Sequence, residues 1–414
     1  MPVTDVGSWM DEYSREGTVW FAKRLSANDT LATNAHQAGP YLPKDFVFDI
    51  IPSLNTPAVK NPDFHIDTYI DSHCDNLSVR IIWYNNKLHK NPESGLNGTR
   101  NEVRMTNWGG MASPVLDPSS TGALAVFVFV LSEHGIAESC HVWVCDDDVQ
   151  ADLVEERIGV VEPKFSVIWK PGILDGLLTT TGTGVSTCRL ALADIPPAWL
   201  AKFPTGEEIV AMTRARRPDL LLPVDDRLTR RRDCEYEIFK SVEEAVYSSR
   251  ISEGFPSLES FISLAQTILQ SRKSRSGTSL ELHARDIFTE DGLIAGVNFT
   301  HRPTVEGGKK PDFVFPSVAA YNDPAFPQER LRILAAKTTC KDRWRQVINE
   351  ANRVPVKHLL TLQEGVSVPQ FMEMRDAGVK LVVPSNLHKK YPEPIRAELI
   401  TFESFIAEVR TLNV

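Results

Sequence analysis

A chain of 414 residues exceeds what one hydrophobic core usually supports, so two domains of about 200 residues each are expected. Hydrophobic residues at 42% and charged residues at 24% exclude fibrous, collagen-like and extensively disordered classes. A net charge of -9 at first disfavours a nucleic-acid partner, but the acidity is uneven: residues 1–194 hold 14 Lys+Arg against 25 Asp+Glu, whereas residues 195–414 hold 31 against 29.

The chain opens on MPVTDVGSWMDEYSREG, which is polar and acidic and resembles neither a signal peptide nor a transit peptide. No apolar run approaches the roughly 20 residues that span a bilayer. The longest, Ala123 to Leu131, suits a buried strand. A cytoplasmic protein without a membrane partner is expected, and the six cysteines, which lack C-x-x-C spacing, are expected to be reduced thiols. Strands are predicted at Val79–Tyr84, Ala123–Leu131, His141–Cys145 and Phe165–Trp169, where β-branched and aromatic residues stand between Gly, Asn, Asp and Pro clusters. Between the first two, Arg100, Glu102, Arg104 and Thr106 alternate with Asn101, Val103, Met105 and Asn107. A strand there carries the charged set on one face, and such a face can enter a major groove.

Thr179 to Thr187, TTTGTGVST, is uncharged and aperiodic and reads as a linker. It divides a mostly-β domain, 1–182, from a domain at 195–414, with 183–194 between them. In the second domain Leu258, Phe261, Ile262, Ala265, Ile268 and Leu269 recur at helical spacing behind Ser257 as N-cap, and Leu280, Ala284, Ile287 and Phe288 predict another helix. Strands are predicted at Phe313–Phe315, Leu331–Ala336, His358–Leu362 and Leu381–Val383, with helices near Lys341–Ala351, Pro369–Ala377 and Pro394–Val409. That is an α/β sheet covered by helices.

The strongest chemical signal is Pro311-Asp312, then Lys337 at a strand end, then Glu350. Phosphodiester hydrolysis uses a hard divalent cation, and Mg2+ takes carboxylate oxygens together with water and substrate phosphate. Asp312 and Glu350 supply carboxylates. Lys337 can orient the attacking water and offset charge developing on the phosphorane. This is the PD-(D/E)xK skeleton with Ala335 where its second acid belongs, and Glu350 is the natural replacement. The same residues are also compatible with a turn cap and a solvated strand end. Helical spacing places Arg343, Gln346 and Glu350 on one face, with Arg343 and Glu350 about 10 Å apart. A surface helix laced with ion pairs is the bland alternative.

The stretches KKPDFVFPS, LAAKTTCKDRWRQVINEA, HLLTLQEGVS and GVKLVVPSNLHKKYPE, preceded by SRKSRSGTSLELH, closely resemble the catalytic domain of the EcoRII-type restriction endonucleases. In the first half KRLSANDTLATNAHQAGPYLP and TRNEVRMTNWG resemble the effector domain of the same family, so the similarity covers nearly the whole chain in order.

That resemblance implies an N-terminal DNA-binding pseudobarrel and a C-terminal α/β endonuclease-like fold. It implies Asp312, Lys337, Glu350 and Glu281 as catalytic residues, Asp312 and Glu350 as Mg2+ ligands, and Tyr321 close to the active site, a ring that core packing alone also explains. Lys341, Asp342 and Arg343 fall on the residues that read the outer C·G pairs. His36 and Tyr41 match one arm of the effector clamp, opposite Arg100, Glu102 and Arg104. Arg272, Lys273 and Arg275 form a candidate phosphate-contacting patch. Family members are bacterial type IIE homodimers that cleave double-stranded DNA at CCWGG, bind a second copy of the site through the N-terminal domain, and stand beside a DNA methyltransferase of the same specificity. This chain departs from them in having Val103 and Asn107 where the family strand is more basic. An acidic first domain docked over the catalytic cleft would make autoinhibition salt-sensitive. The alternative is a sequence-specific DNA-binding protein without nuclease activity.

Overall fold

The computed structural model describes residues 5–33, 39–90, 96–171, 180–182 and 188–413. It divides into two compact units, Met1–Thr183 with Glu364–Ser367, and Gly184–Gln363 with Val368–Val414. Among the described residues no helix is long and apolar enough to cross a membrane.

The first unit is built on strands β1 (Thr18–Arg24), β2 (Tyr41–Leu42), β3 (Asp63–Ile70), β4 (Asp75–Tyr84), β5 (Glu102–Thr106), β6 (Leu124–Leu131), β7 (Ala137–Val144), β8 (Phe165–Trp169) and β9 (Thr180–Gly182). They form one sheet in the order β2-β5-β4-β3-β7-β6-β1-β8-β9. Its described pairings are antiparallel except β3 with β7. Side chains of a strand alternate between faces, and β1 and β6 are covered on both. Val19, Phe21, Phe127 and Phe129 enter one core with helix α2 (Lys44–Ile50), while Trp20, Ala22, Val126 and Val128 enter another with helices α1 (Val6–Tyr13) and α3 (Asp148–Ile158). This double burial is why Ala123 to Leu131 reads as an unbroken apolar run. A buried ion pair, Arg24 to Glu155 at 2.7 Å, ties β1 to α3.

The second unit begins with α4 (Pro197–Ala201) and α5 (Gly206–Arg216), then two long helices, α6 (Val224–Ser252) and α7 (Leu258–Glu290). Ser257 caps α7 as predicted, its hydroxyl accepting from the Ser260 N–H. The two helices predicted beyond Ser257 are one continuous 33-residue helix. Of the predicted apolar face, Ile268 is buried together with Leu264, whereas Ile262 is exposed. Helix α6 buries apolar residues such as Leu228, Ile238, Phe239 and Val242, and alongside them it buries charges in pairs. Glu235 accepts from Arg232 and Arg275, at 2.8 and 2.7 Å, and Glu243 accepts from Arg272 at 2.7 Å and from Lys240. Arg231, wholly buried, donates to Glu290 at 2.9 Å.

A five-stranded sheet follows in the order β10-β11-β12-β13-β14: β10 (Thr300–His301), β11 (Phe313–Phe315), β12 (Arg332–Ala336), β13 (Lys357–Leu360) and β14 (Val379–Val382). The first three pair antiparallel and the last three parallel. On one face Leu334, Leu360 and Val382 pack with Phe288 of α7 and with Phe402 and Phe405 of a C-terminal helix. The remaining helices are α8 (Val318–Asn322), α9 (Trp344–Ile348), α10 (Val368–Asp376), α11 (Glu393–Arg396) and α12 (Phe402–Arg410). The helix predicted over Pro394–Val409 is therefore interrupted between α11 and α12, and the one near Lys341–Ala351 shortens to five residues.

Two further expectations need correction. Cys188 and Cys234 form a disulfide, while Cys74, Cys140, Cys145 and Cys340 are thiols. The pairing joins residues 46 apart, so no short motif announces it. Within the predicted linker, Cys188 and Leu190 pack against Ile238 and Phe239 of α6, so that part of it belongs to the second unit's core. Residues 183–187 lie outside the described residues.

Candidate active site

Antiparallel pairing sets the start of β11 beside the end of β12, with Phe313 opposite Leu334. This brings Asp312 and Lys337, 25 residues apart, to one end of the sheet. Asp312 Oδ2 accepts from the Ala336 N–H at 2.8 Å and from Lys337 Nζ at 3.1 Å. Lys337 Nζ stands 3.9 Å from Glu350 Oε1 and so bridges the two carboxylates. The lysine backbone is fixed as well, its N–H donating to Leu360 O at 2.9 Å.

Glu281 comes from α7. Its carboxylate is committed to Arg302, whose Nε lies 2.9 and 3.1 Å from its two oxygens, and His301 Nε2 is 3.5 Å away. The Arg302 N–H in turn donates to Asp312 O at 2.8 Å. His301 and Arg302 are site neighbours that the sequence did not flag, because β10 is only two residues long and shows no alternation.

Burial and neighbouring charges shift the acids apart. Burial, opposed by Lys337 and reinforced by Asp312 and Glu281, pushes the Glu350 carboxyl up to about 7. Burial also lifts Asp312 above the usual range, despite Lys337 beside it. Glu281 goes the other way: burial raises it, but His301 and Arg302 outweigh that and hold it at about 2. Glu350 Oε2 is buried without a hydrogen-bond partner. Two partly buried carboxylates that hold protons more tightly than usual, one with an orphaned oxygen, fit a hard divalent cation. Among the described residues no three His, Cys, Asp or Glu side chains form a metal-holding group. Two carboxylates leave the other coordination positions to water and phosphate, the usual arrangement for Mg2+.

Glu350 does not share a helix face with Arg343. Helix α9 ends at Ile348, Arg343 is its N-cap, and Glu350 stands in the turn beyond. Lys341, Asp342 and Arg343 form the turn leading into α9 and are half-buried, and Asp342 accepts from Arg345 at 2.7 Å. That turn is anchored from below by Gln363, whose Oε1 accepts from the Cys340 and Lys341 N–H groups at 2.8 and 3.2 Å. Tyr321 is buried and its hydroxyl donates to Glu306 at 2.7 Å. Burial and that hydrogen bond push it up to about 12. Arg272 and Arg275 are buried in their pairs with Glu243 and Glu235 and do not form the expected phosphate-contacting patch; Lys273 alone of the three is exposed.

In the first unit Val103 and Met105 are fully buried, and Glu102, Arg104 and Thr106 are half-exposed, as the alternation predicts. Tyr41 is the direct cross-strand partner of Arg104. Arg104 donates to Glu102 at 2.9 Å and to Gly39 O at 3.1 Å. Arg100 precedes the strand, exposed, with its guanidinium 5.4 Å from the Tyr84 ring centre. His36 lies outside the described residues.

Two family models match the chain: Restriction endonuclease EcoRII, N-terminal, over residues 14–173, and EcoRII C terminal, over residues 239–406. The type II restriction enzyme EcoRII of Escherichia coli is 42% identical over 98% of this chain and 97% of its own length. The type II restriction enzyme SsoII of Shigella sonnei is 27% identical over 36% of this chain and 50% of its own. Among solved structures, metal-depleted Ecl18kI in complex with uncleaved, modified DNA is 20% identical, with a TM-score of 0.42, over 54% of this chain and 85% of that one.

Proposed function

The chain belongs to the EcoRII family of type II restriction enzymes, and from that premise we propose that it is a Mg2+-dependent endonuclease that hydrolyses phosphodiester bonds in double-stranded DNA at a CCWGG-like site. The observation that carries the proposal is the convergence of Asp312, Lys337 and Glu350, with Lys337 Nζ 3.1 and 3.9 Å from the two acids. A DNA-binding protein that had lost its nuclease would have no use for that cluster. The deciding experiment is digestion of a sequenced plasmid with Mg2+, followed by mapping of the cut ends. Random ends, or none, would remove the proposal.

Asp312 and Glu350 would hold the Mg2+. When bound, it polarises the scissile phosphate and offsets the charge that develops there. Lys337 orients the attacking water and adds a fixed positive charge at the same end of the sheet. Glu281 keeps His301 and Arg302 in place beside Asp312. The turn of Lys341, Asp342 and Arg343 reads base edges: Arg suits guanine O6/N7, and Asp accepts from cytosine N4.

A pH dependence follows from the raised carboxyls. Below about 7 the Glu350 carboxyl is increasingly protonated and Mg2+ must displace the proton. The Mg2+ concentration for half-maximal cleavage is therefore expected to rise as pH falls from 8 to 6. A half-saturating concentration that stays constant over that range would contradict it.

The N-terminal unit is proposed to bind a second copy of the site through Arg100, Glu102, Arg104, Tyr41 and His36, and to restrain the catalytic unit until it does. Further proposed partners are a second copy of this chain, as a homodimer, and a methyltransferase acting on the same site. Arginine-to-guanine contacts contribute about 1–3 kcal/mol of discrimination. In Arg104→Ala the concentration of a site-bearing oligonucleotide that half-activates cleavage of a one-site plasmid should accordingly rise about tenfold or more. An unchanged activation curve would exclude Arg104 from the effector site.

A further inference from the structure

Glu350 differs from the other acids of the site in one respect: among the described residues no hydrogen bond holds its side chain. Its Oε2 is buried without a partner, and its nearest cation, Lys337, is 3.9 Å from the other oxygen. It also lies outside any helix, in the turn after α9. Where it stands is therefore decided by the backbone of residues 349–354.

That backbone is held by charged side chains of other elements. Glu306, from the turn ahead of β11, accepts from the Asn352 N–H at 2.6 Å through one oxygen and from the Tyr321 hydroxyl at 2.7 Å through the other. Lys309 Nζ donates to the Asn352 side chain at 2.7 Å, closing the same corner. Along the same turn Lys357 of β13, buried, donates from Nζ to Ala351 O at 2.6 Å and to Val354 O. Arg353 adds a third tie, its N–H donating to the Tyr321 hydroxyl at 3.3 Å.

The geometry points to Glu306 as a positioning residue for Glu350: by fixing Asn352, together with Lys357, it sets the turn on which the metal-binding carboxylate stands. Tyr321 is tied to the same corner through Glu306. The inference rests on the proposed nuclease reading for the role of Glu350, but concerns a residue that acts on the backbone two positions beyond it. Residues that hold metal ligands in place typically contribute roughly 10- to 100-fold in metal affinity or activity.

The test compares full-length Glu306→Ala and Glu306→Gln with the unchanged chain. The glutamine keeps an oxygen for the Asn352 N–H; the alanine does not. Because Glu306 is exposed, the fold should tolerate both. Binding of Mn2+ alone, followed by the paramagnetic signal of the free ion, reads the site without requiring cleavage, so a failure of the nuclease reading leaves this measurement intact. Glu306→Ala should need roughly tenfold more Mn2+ for half-saturation, with an unchanged melting temperature and unchanged metal-free DNA binding. Glu306→Gln should recover most of the affinity. Equal Mn2+ binding by Glu306→Ala and the unchanged chain, or a glutamine variant as weak as the alanine, would overturn the assignment.

Discussion

Lys337→Ala is expected to lower the rate of DNA cleavage by about a thousandfold, the scale of losing a preorganised charge at a developing anion. The lysine stands between Asp312 and Glu350, 3.1 Å from the first and 3.9 Å from the second. Its removal leaves two carboxylates that already hold protons above their usual range facing each other, so protonation competes harder with Mg2+. Specific binding should persist, because the proposed base-reading turn at Lys341 to Arg343 is anchored by Gln363 and not by Lys337. Single-turnover cleavage and gel-shift titration on the same duplex separate the two effects. A Lys337→Ala protein cutting at the original rate would end the catalytic assignment, whereas one that lost binding and cleavage together would point to a collapsed site.

The second large effect concerns folding. Glu243→Ala removes the carboxylate that pairs with Lys240 and Arg272 in the interior between α6 and α7, where the Arg272 guanidinium and the glutamate are 2.7 Å apart and the glutamate is wholly inaccessible. Breaking a buried pair by removing one partner costs about 3–5 kcal/mol, because the remaining charge stays desolvated. Urea unfolding of the full chain should show a loss of that size. Replacing Lys240, Glu243 and Arg272 together by apolar residues of similar volume should be far milder. A change below about 1 kcal/mol for Glu243→Ala would mean that water reaches the site and that the cluster is not a buried one.

These helices also mark where the sequence was hard to read. In the first unit β6 was legible because it is buried on both faces, and β5 because it alternates cleanly, whereas β1, β2, β3 and β9 were not read from the sequence. In the second unit β11 was located to the residue, and β12 to within one. Helix α6 escaped notice because buried Arg, Glu and Lys interrupt the apolar residues of its inward face, and a charge cannot show in the sequence that its counter-charge lies on another helix. For the same reason Arg272 and Arg275 looked like a phosphate-binding patch: their partners, Glu243 and Glu235, stand 29 and 40 residues earlier in the chain. In the site, Asp312 and Lys337 were readable from a Pro-Asp step and a strand end, both local features. Arg302, Glu306 and Lys357 were not, since each acts on a group brought close only by the sheet or by the turn after α9.

The placement of β6 has a consequence for how the protein fails. Its sequence, LAVFVFVL, is uncharged, β-branched and aromatic, the composition from which stacked intermolecular strands grow. In the native sheet it lies between β7 and β1 with both faces covered, and never presents an edge to another chain. Once the first unit opens, that protection is lost at a single stroke, and self-association competes with refolding. Heat inactivation of the full chain is then governed by how often this unit opens, a lifetime and not an equilibrium midpoint, and it shortens as protein concentration rises.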